Sequence, residues 1–128
     1  MWELNVLDEF IGKTLVSVEK SFDSIVFKFS DGSSYMMYHS QDCCESVTVD
    51  DIDGDLDDLV GSPIFKCRRK NLFVRLLQLI VKLPEYADSY TWTFYKLETI
   101  KATVIIKWFG TSNGYYSEEV DIVKLNEE

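Results

Sequence analysis

The amino-acid sequence predicts one α+β domain over residues 1–128, with a mainly antiparallel sheet of six or seven short strands and one amphipathic helix at about residues 70–83. Two observations predict this fold. Short segments alternate apolar and polar residues, as half-buried strands do, and one later segment repeats polar residues at helical spacing. The length and the 46% apolar content are sufficient for a single hydrophobic core.

Strands are predicted first in the N-terminal half, where the alternation is clear. In Ser24–Ser30 the apolar residues Ile25, Phe27 and Phe29 share one face of a strand. Asp31-Gly32 follows as a hairpin turn, because glycine takes the positive φ that tight turns need. The other strands predicted in this half are Lys13–Glu19, Ser33–His39 and Ser46–Asp50.

The helix is predicted because four polar residues follow one another at intervals of four, three and four positions. This spacing places them along one side of a helix. These residues are Asn71, Arg75, Gln78 and Lys82. Pro84 ends the segment, and the β-branched Ile80 and Val81 leave a strand as the alternative.

The other faces of this helix carry more apolar side chains than a small sheet needs to cover. We interpret the surplus as a self-association surface of a homo-oligomer, with simple packing across the sheet as the alternative of equal weight. The residues predicted for it are Phe73, Leu76, Leu77 and Ile80.

Strands return in the last third of the chain. Tyr90–Lys96 alternates threonine with aromatic residues, and Ala102–Trp108 is rich in β-branched residues. Asn113-Gly114 predicts a turn before a final strand at Tyr115–Val123. Earlier in the chain, Leu56–Val60 predicts a single helical turn.

The charge of the chain limits its partners. It has 13 basic and 22 acidic residues, a net charge of −9. Such a surface repels phosphates and anionic lipids, which argues against direct nucleic-acid binding and membrane binding. The N-terminus shows no signal peptide, which predicts a cytoplasmic protein. The charge is uneven, because Lys66 to Lys82 contains six basic residues and no acidic one.

Six aspartates within nine residues form the predicted partner-binding site. Closely spaced carboxylates can imitate a nucleic-acid backbone and bind the basic groove of another protein. A calcium-binding loop that began at Asp51 would need glycine at its sixth position and glutamate at its twelfth. The sequence has Leu56 and Ser62 there, so the segment fits such a loop poorly. A solvated acidic loop is the remaining interpretation. The six residues are Asp50, Asp51, Asp53, Asp55, Asp57 and Asp58.

His39, Cys43 and Cys44 are the residues closest to a catalytic pattern. An imidazole can act as the base that activates a cysteine nucleophile. The chain has no second histidine to complete a zinc site, and adjacent cysteines rarely bind one ion together, so no metal is predicted. We expect a loop packed against the core, and catalysis is the less favoured interpretation.

The aromatic residues of the last third suggest a ligand site. Rings on the outer face of a strand can stack on the base of a nucleotide. The residues predicted for such a site are His39, Trp92, Asn113, Tyr115 and Tyr116. Packing of most of these rings in the core is the alternative.

Several runs of the sequence resemble a family of small uncharacterised proteins that occur in bacteria and their phages. The run Tyr-His-Ser-Gln-Asp-Cys-Cys-Glu-Ser-Val at 38–47 is the most distinctive. The resemblance implies a domain of unknown function and assigns no catalytic role to any residue. The matching runs are Ile11–Leu15, Tyr38–Val47, Gly54–Pro63, Thr91–Lys96 and Ser112–Ser117.

The phage occurrence of this family favours a function in binding. We therefore expect a non-enzymatic protein without a cofactor that inhibits a host defence protein through its acidic or aromatic surface. An oligomeric sponge that binds nucleotides is the second hypothesis. A cysteine-dependent enzyme that uses His39 with Cys43 or Cys44 is the third.

Overall fold

A computed structural model of the protein describes residues 6–41, 44–73, 89–112 and 118–125. These residues form two antiparallel sheets of four strands each, with two short 3-10 helices at Val6–Phe10 and Leu56–Leu59. The strands are β1 (Leu15–Lys20), β2 (Ser24–Phe29), β3 (Ser34–Tyr38), β4 (Ser46–Asp53), β5 (Ile64–Phe73), β6 (Ser89–Thr99), β7 (Thr103–Ser112) and β8 (Asp121–Leu125).

The first sheet has the strand order β1-β2-β3-β8. Ile25 and Phe27 of β2 are fully buried, as their alternation predicts. The turn into β3 uses Gly32 at a φ of 91°, and the Asp31 carboxylate accepts a hydrogen bond from the Ser33 backbone N–H at 2.9 Å. The predicted hairpin is therefore confirmed.

The second sheet has the strand order β4-β7-β6-β5, so β4 and β5 are its edge strands. Val104, Ile106 and Trp108 of β7 are fully buried, while the residues between them are half-exposed. The buried face packs against the first sheet, where the Trp108 indole N–H lies 3.2 Å from the Met37 sulfur. One core cluster joins the two sheets.

The sheets also meet at one corner, where the start of β1 lies beside the start of β5. The Gly12 N–H donates to the Ile64 carbonyl at 2.7 Å, and the Ile64 N–H donates to the Lys13 carbonyl at 2.9 Å. The first 3-10 helix adds Phe10 to the core, where its ring contacts that of Phe29 edge-on at 4.9 Å.

The α+β prediction was wrong, because no α-helix occurs in the described parts of the chain. Lys70–Phe73, the start of the expected helix at residues 70–83, continues β5 and pairs with β6. As an edge strand β5 exposes polar residues on both faces, so its sequence lacks the alternation that marks a strand. The rest of the expected helix, 74–83, lies outside the described residues. The described residues alone form eight strands, against the predicted six or seven.

Candidate functional site

A groove opens between the two edge strands β1 and β4. Its volume is about 380 Å³. Val18 and Ile52 supply half-buried apolar surface and Lys20 a basic group, while the acidic wall comes from the start of the second 3-10 helix. We call this the edge groove, and it is lined by Val18, Lys20, Ile52, Gly54, Asp55, Leu56 and Asp57.

The acidic wall of the edge groove is held in place by the turn that follows β4. Gly54 has a φ of 106°, and a Cβ there would lie 3.1 Å from the Thr103 carbonyl oxygen, so the turn favours glycine. Asp55 then caps the 3-10 helix by accepting the Asp57 N–H at 3.0 Å. Leu56 anchors this helix in the core, which leaves the Asp57 side chain exposed.

All six predicted aspartates are exposed, but the structure divides them between two surfaces. Asp55 and Asp57 line the edge groove, with Asp58 next to them on the second 3-10 helix. Asp51 and Asp53 pair with Lys107 and Ile105 of β7 and therefore share the outer face of the second sheet. Asp50 is the extra residue of a β-bulge, and its carboxylate lies 3.7 Å from the Lys107 ammonium.

Phe22 is an exposed aromatic residue that sequence reasoning missed. It lies in the turn between β1 and β2, two residues after Lys20, and its side chain is 71% exposed. Its carbonyl accepts the Val49 N–H at 2.8 Å, which fixes the turn against β4 beside the bulge at Asp50. The available signal was a large apolar side chain within the polar turn Ser-Phe-Asp-Ser at residues 21–24.

His39 belongs to a buried hydrogen-bond cluster. Its Nδ1 lies 2.6 Å from the Glu119 carbonyl, which can only accept, so Nδ1 carries a proton. Its Nε2 lies 2.6 Å from the Glu45 carboxyl group, and these two side chains are only 3% and 0% exposed. Gln41 adds a hydrogen bond from its amide to the Glu45 carbonyl at 2.6 Å.

The hypothesis of a cysteine-dependent enzyme requires a thiol next to His39. Within the described residues, no cysteine thiol lies there. Both His39 nitrogens contact oxygen atoms, and Cys44 is disulfide-bonded. Cys43 lies outside the described residues. Cys67 is half-buried and donates to the Leu7 carbonyl at 3.1 Å, and burial raises its pKa to about 11. Its thiolate is therefore scarce at neutral pH.

The comparison with protein families gives a match to most of the chain. The model of a domain of unknown function, DUF7448, matches residues 8–122. The chain belongs to this family. The match confirms the expected uncharacterised family, and it includes β1 to β7 and the start of β8. No curated protein and no solved structure matches the DUF7448 chain.

A second buried carboxylate of this DUF7448 chain, Glu118, was also missed by sequence reasoning. It accepts hydrogen bonds from Thr91 at 2.7 Å and from Ser112. A Cβ at Gly110 would lie 2.9 Å from the Glu118 Cβ, so glycine lets residue 118 pack directly on the second sheet. These contacts give Glu118 a structural role, since they tie the segment before β8 to β6 and β7.

The structure separates His39 from Trp92, two of the five residues predicted for nucleotide binding. His39 lies in the buried cluster. Trp92 lies on the outer face of the second sheet, where its ring contacts Phe109 at 4.1 Å and the Lys107 ammonium lies 4.4 Å above it. Asn113, Tyr115 and Tyr116 lie outside the described residues.

The predicted self-association residues of the DUF7448 chain are largely untested. Phe73 ends β5, and Leu76, Leu77 and Ile80 lie outside the described residues. The remaining observations concern the described part of the chain alone. No group of three or more histidine, cysteine, aspartate and glutamate side chains is placed there to hold a metal ion. No helix there is long and apolar enough to cross a membrane.

Proposed function

We propose that this DUF7448 protein is a non-catalytic cytoplasmic binding protein that inhibits a host defence protein of a phage-infected bacterium. A basic segment of that host protein occupies the edge groove. The observation that carries this proposal is Phe22, whose side chain is 71% exposed in the turn two residues after the groove residue Lys20. Exposed aromatic residues next to complementary charge are typical anchors of protein–protein interfaces.

The lining of the edge groove suits lysine or arginine side chains of a partner. Val18 and Ile52 offer apolar surface to the aliphatic stems of such side chains. Asp55 and Asp57 offer carboxylates to the cationic ends. Phe22 adds a ring face that attracts a guanidinium or fills an apolar pocket of the partner.

The charge of the whole chain supports the same class of partner. A net charge of −9 attracts a basic protein from a distance and speeds its association at low salt. Salt screens such attraction over about 10 Å, so binding through the edge groove should weaken as the salt concentration rises. A partner held by apolar contacts alone would show little of this dependence.

The proposal is tested by capture from bacterial lysate with the wild-type protein and matched variants. Phe22→Ser removes the exposed ring, and Phe65→Ser is its control, because Phe65 is 59% exposed on the opposite edge strand β5. Asp57→Lys reverses a groove charge. Asp8→Lys is its control on the first 3-10 helix, which packs against β5 and β8.

We expect one protein that the wild type and both controls retain and that Phe22→Ser and Asp57→Lys lose. Mass spectrometry identifies it, and binding is repeated with the purified protein. Capture that all five proteins show equally would contradict the edge groove as the binding site. Binding of a mononucleotide, seen as a rise in melting temperature with no protein retained, would favour the sponge hypothesis instead.

A further inference from the structure

The two strands that border the edge groove, β1 and β4, belong to different sheets and do not pair with each other. Backbone hydrogen bonds join the chain at both ends of the groove. The Phe22 carbonyl accepts the Val49 N–H at 2.8 Å, and the Leu15 carbonyl accepts the Gly61 N–H at 3.0 Å. The groove residues of β1, and those at 52–57, lie along the chain between these two contacts. The edge groove is therefore a gap between two sheet edges whose ends are tied together.

Val18 and Lys20 of β1 direct their backbone N–H and C=O groups away from β2. In an antiparallel pair, residues that bond to the neighbouring strand alternate with residues whose backbone groups point the other way. The Ser21 N–H donates to the Ser24 carbonyl at 2.8 Å, so Ser21 bonds toward β2. The register runs back from there without a shift to residue 17, so Lys20 and Val18 point away. No hydrogen bond from another described residue reaches these backbone groups on the free edge of β1.

Ile52 has the corresponding orientation on β4. The Val49 N–H points away from β7, because it donates to the Phe22 carbonyl. Val49 pairs with Trp108 and Ile52 pairs with Ile106, and these two partners are two residues apart on β7. Ile52 therefore points the same way as Val49, despite the bulge between them. Backbone groups directed away from the neighbouring strand thus border the groove on both sides, as an added strand requires.

We propose that the basic partner segment binds as an extended strand that adds to the free edge of β1. This inference rests on the proposed function for the charge of the segment, and it specifies how the main chain of the segment is held. The backbone of the segment hydrogen-bonds to Val18 and Lys20, which is the mode of binding called strand addition. Because alternate side chains of a strand point to opposite sides, one set contacts Val18 and Ile52, which pack against the core. The other set reaches Asp55 and Asp57 on the acidic wall.

Backbone geometry and charge select this strand and this occupant. On β4 the Phe22 carbonyl already binds Val49, which leaves Ile52 alone, whereas β1 offers two residues in succession. A second copy of this chain would bring another net charge of −9 to a groove with an acidic wall. A nucleotide would bring its phosphates to the same carboxylates, and like charges repel. An extended segment in which apolar and basic residues alternate matches both the floor of the groove and its wall.

The probe is a synthetic pentapeptide of alternating lysine and valine, acetylated and amidated at its ends. Two further peptides carry N-methyl groups on either the lysine amides or the valine amides. Since the amides of a strand point to opposite sides in alternation, one of these two sets faces β1. NMR titration of the isotope-labelled protein measures Kd, and hydrogen exchange measures the protection of individual amides.

Two variants of the protein isolate one hydrogen bond of the added strand. Lys20→Pro removes an N–H that points away from β2, and proline is tolerated at such positions of edge strands. Lys20→Ala is its matched control, because it removes the same exposed charged side chain and keeps the N–H. Circular dichroism confirms that both variants are folded.

We expect the amides of Val18 and Lys20 to exchange rapidly in the free protein and about tenfold more slowly at a peptide concentration of about ten times Kd. One of the two methylated peptides should bind at least about threefold more weakly than the unmethylated peptide. Lys20→Pro should raise Kd at least about threefold above that of Lys20→Ala, because one hydrogen bond is lost.

Absence of peptide binding, binding that leaves the amides of Val18 and Lys20 unprotected, or equal binding of all three peptides would overturn strand addition. A dimer in sedimentation equilibrium that already protects these amides without peptide would overturn it in favour of a second copy. Capture of a host protein through the edge groove without protection of these amides would overturn strand addition alone. Protection by the peptide with no host protein captured would support strand addition and contradict the proposed function.

Discussion

The carbonyl oxygen of Phe22 accepts a hydrogen bond from the backbone N–H of Val49 at 2.8 Å. This contact fastens the turn of the first sheet to the edge strand of the second, at the position where the bulge displaces Asp50. It holds an exposed phenyl ring beside an acidic strand. The contact joins the two sheets next to β1 and β4, the strands that border the edge groove.

Replacing His39 by alanine should destabilise the fold. His39 contacts the Glu45 carboxyl group at 2.6 Å and the Glu119 carbonyl at 2.6 Å, and its side chain is almost fully buried. Loss of one member of a buried, hydrogen-bonded pair costs about 3–5 kcal/mol, because the other group keeps its desolvation penalty. Urea unfolding at pH 7 measures the difference. A cost below about 1 kcal/mol would mean that the pair is not buried as described.

Gly110→Ala should destabilise the second sheet. The added methyl would lie 2.9 Å from the Glu118 Cβ and 3.2 Å from a Val47 methyl, both closer than van der Waals contact. Forcing a methyl into packed surroundings costs about 1–3 kcal/mol. The thermal midpoint should fall accordingly, and a midpoint equal to that of the wild type would refute the close packing of residue 118 on β7.

Cys67 should react slowly with alkylating reagents in the folded protein. Burial raises its pKa from 9.0 to about 11. Its thiolate fraction at pH 8 is therefore about 100-fold lower than that of an unshifted thiol, and the thiolate is the reacting species. Iodoacetamide labelling with peptide mapping measures this rate against the guanidine-unfolded chain. Equal rates in the two states would contradict the burial of this thiol.

The Lys13–Asp31 pair predicts a loss of stability in acid. The Lys13 ammonium contacts the Asp31 carboxylate at 2.7 Å and holds the pKa of Asp31 well below its ordinary value of 3.8. The folded state thus binds its proton more weakly than the unfolded state, so the pair stabilises above about pH 4 and its contribution is lost as the pH falls below that. Urea midpoints between pH 7 and pH 2 should fall more steeply for the wild type than for Asp31→Asn. An equal fall of the urea midpoint in the wild type and in Asp31→Asn would contradict a stabilising Lys13–Asp31 ion pair.

The sequence predicts correctly those strands in which apolar residues alternate with polar ones, so that the apolar side chains share one buried face. The Ile25, Phe27 and Phe29 pattern of β2 and the Asp31-Gly32 turn are found where the sequence predicts them. Lys70–Phe73, the end of the edge strand β5, was mistaken for the start of a helix, because Asn71 begins a series of polar residues at helical spacing. Only pairing with β6, roughly 25 residues away along the chain, makes this segment a strand.

The candidate sites were predictable only in part. The six aspartates were found as a group because a run of one residue type is visible in sequence. Their division between the edge groove and the outer face depends on the bulge at Asp50 and on the turn at Gly54, which the register and the backbone reveal. The environment of His39 depends on Glu119, 80 residues away, so no local pattern predicts it.

The most direct test of the edge groove is calorimetric titration of the purified host protein into wild type, Phe22→Ser and Phe65→Ser. We predict that Phe22→Ser raises the Kd at least about tenfold, that Phe65→Ser leaves it within about twofold, and that added salt weakens wild-type binding. Loss of Phe22 should leave the melting temperature nearly unchanged, because the ring is 71% exposed. Equal Kd values for wild type and Phe22→Ser would contradict binding at the edge groove.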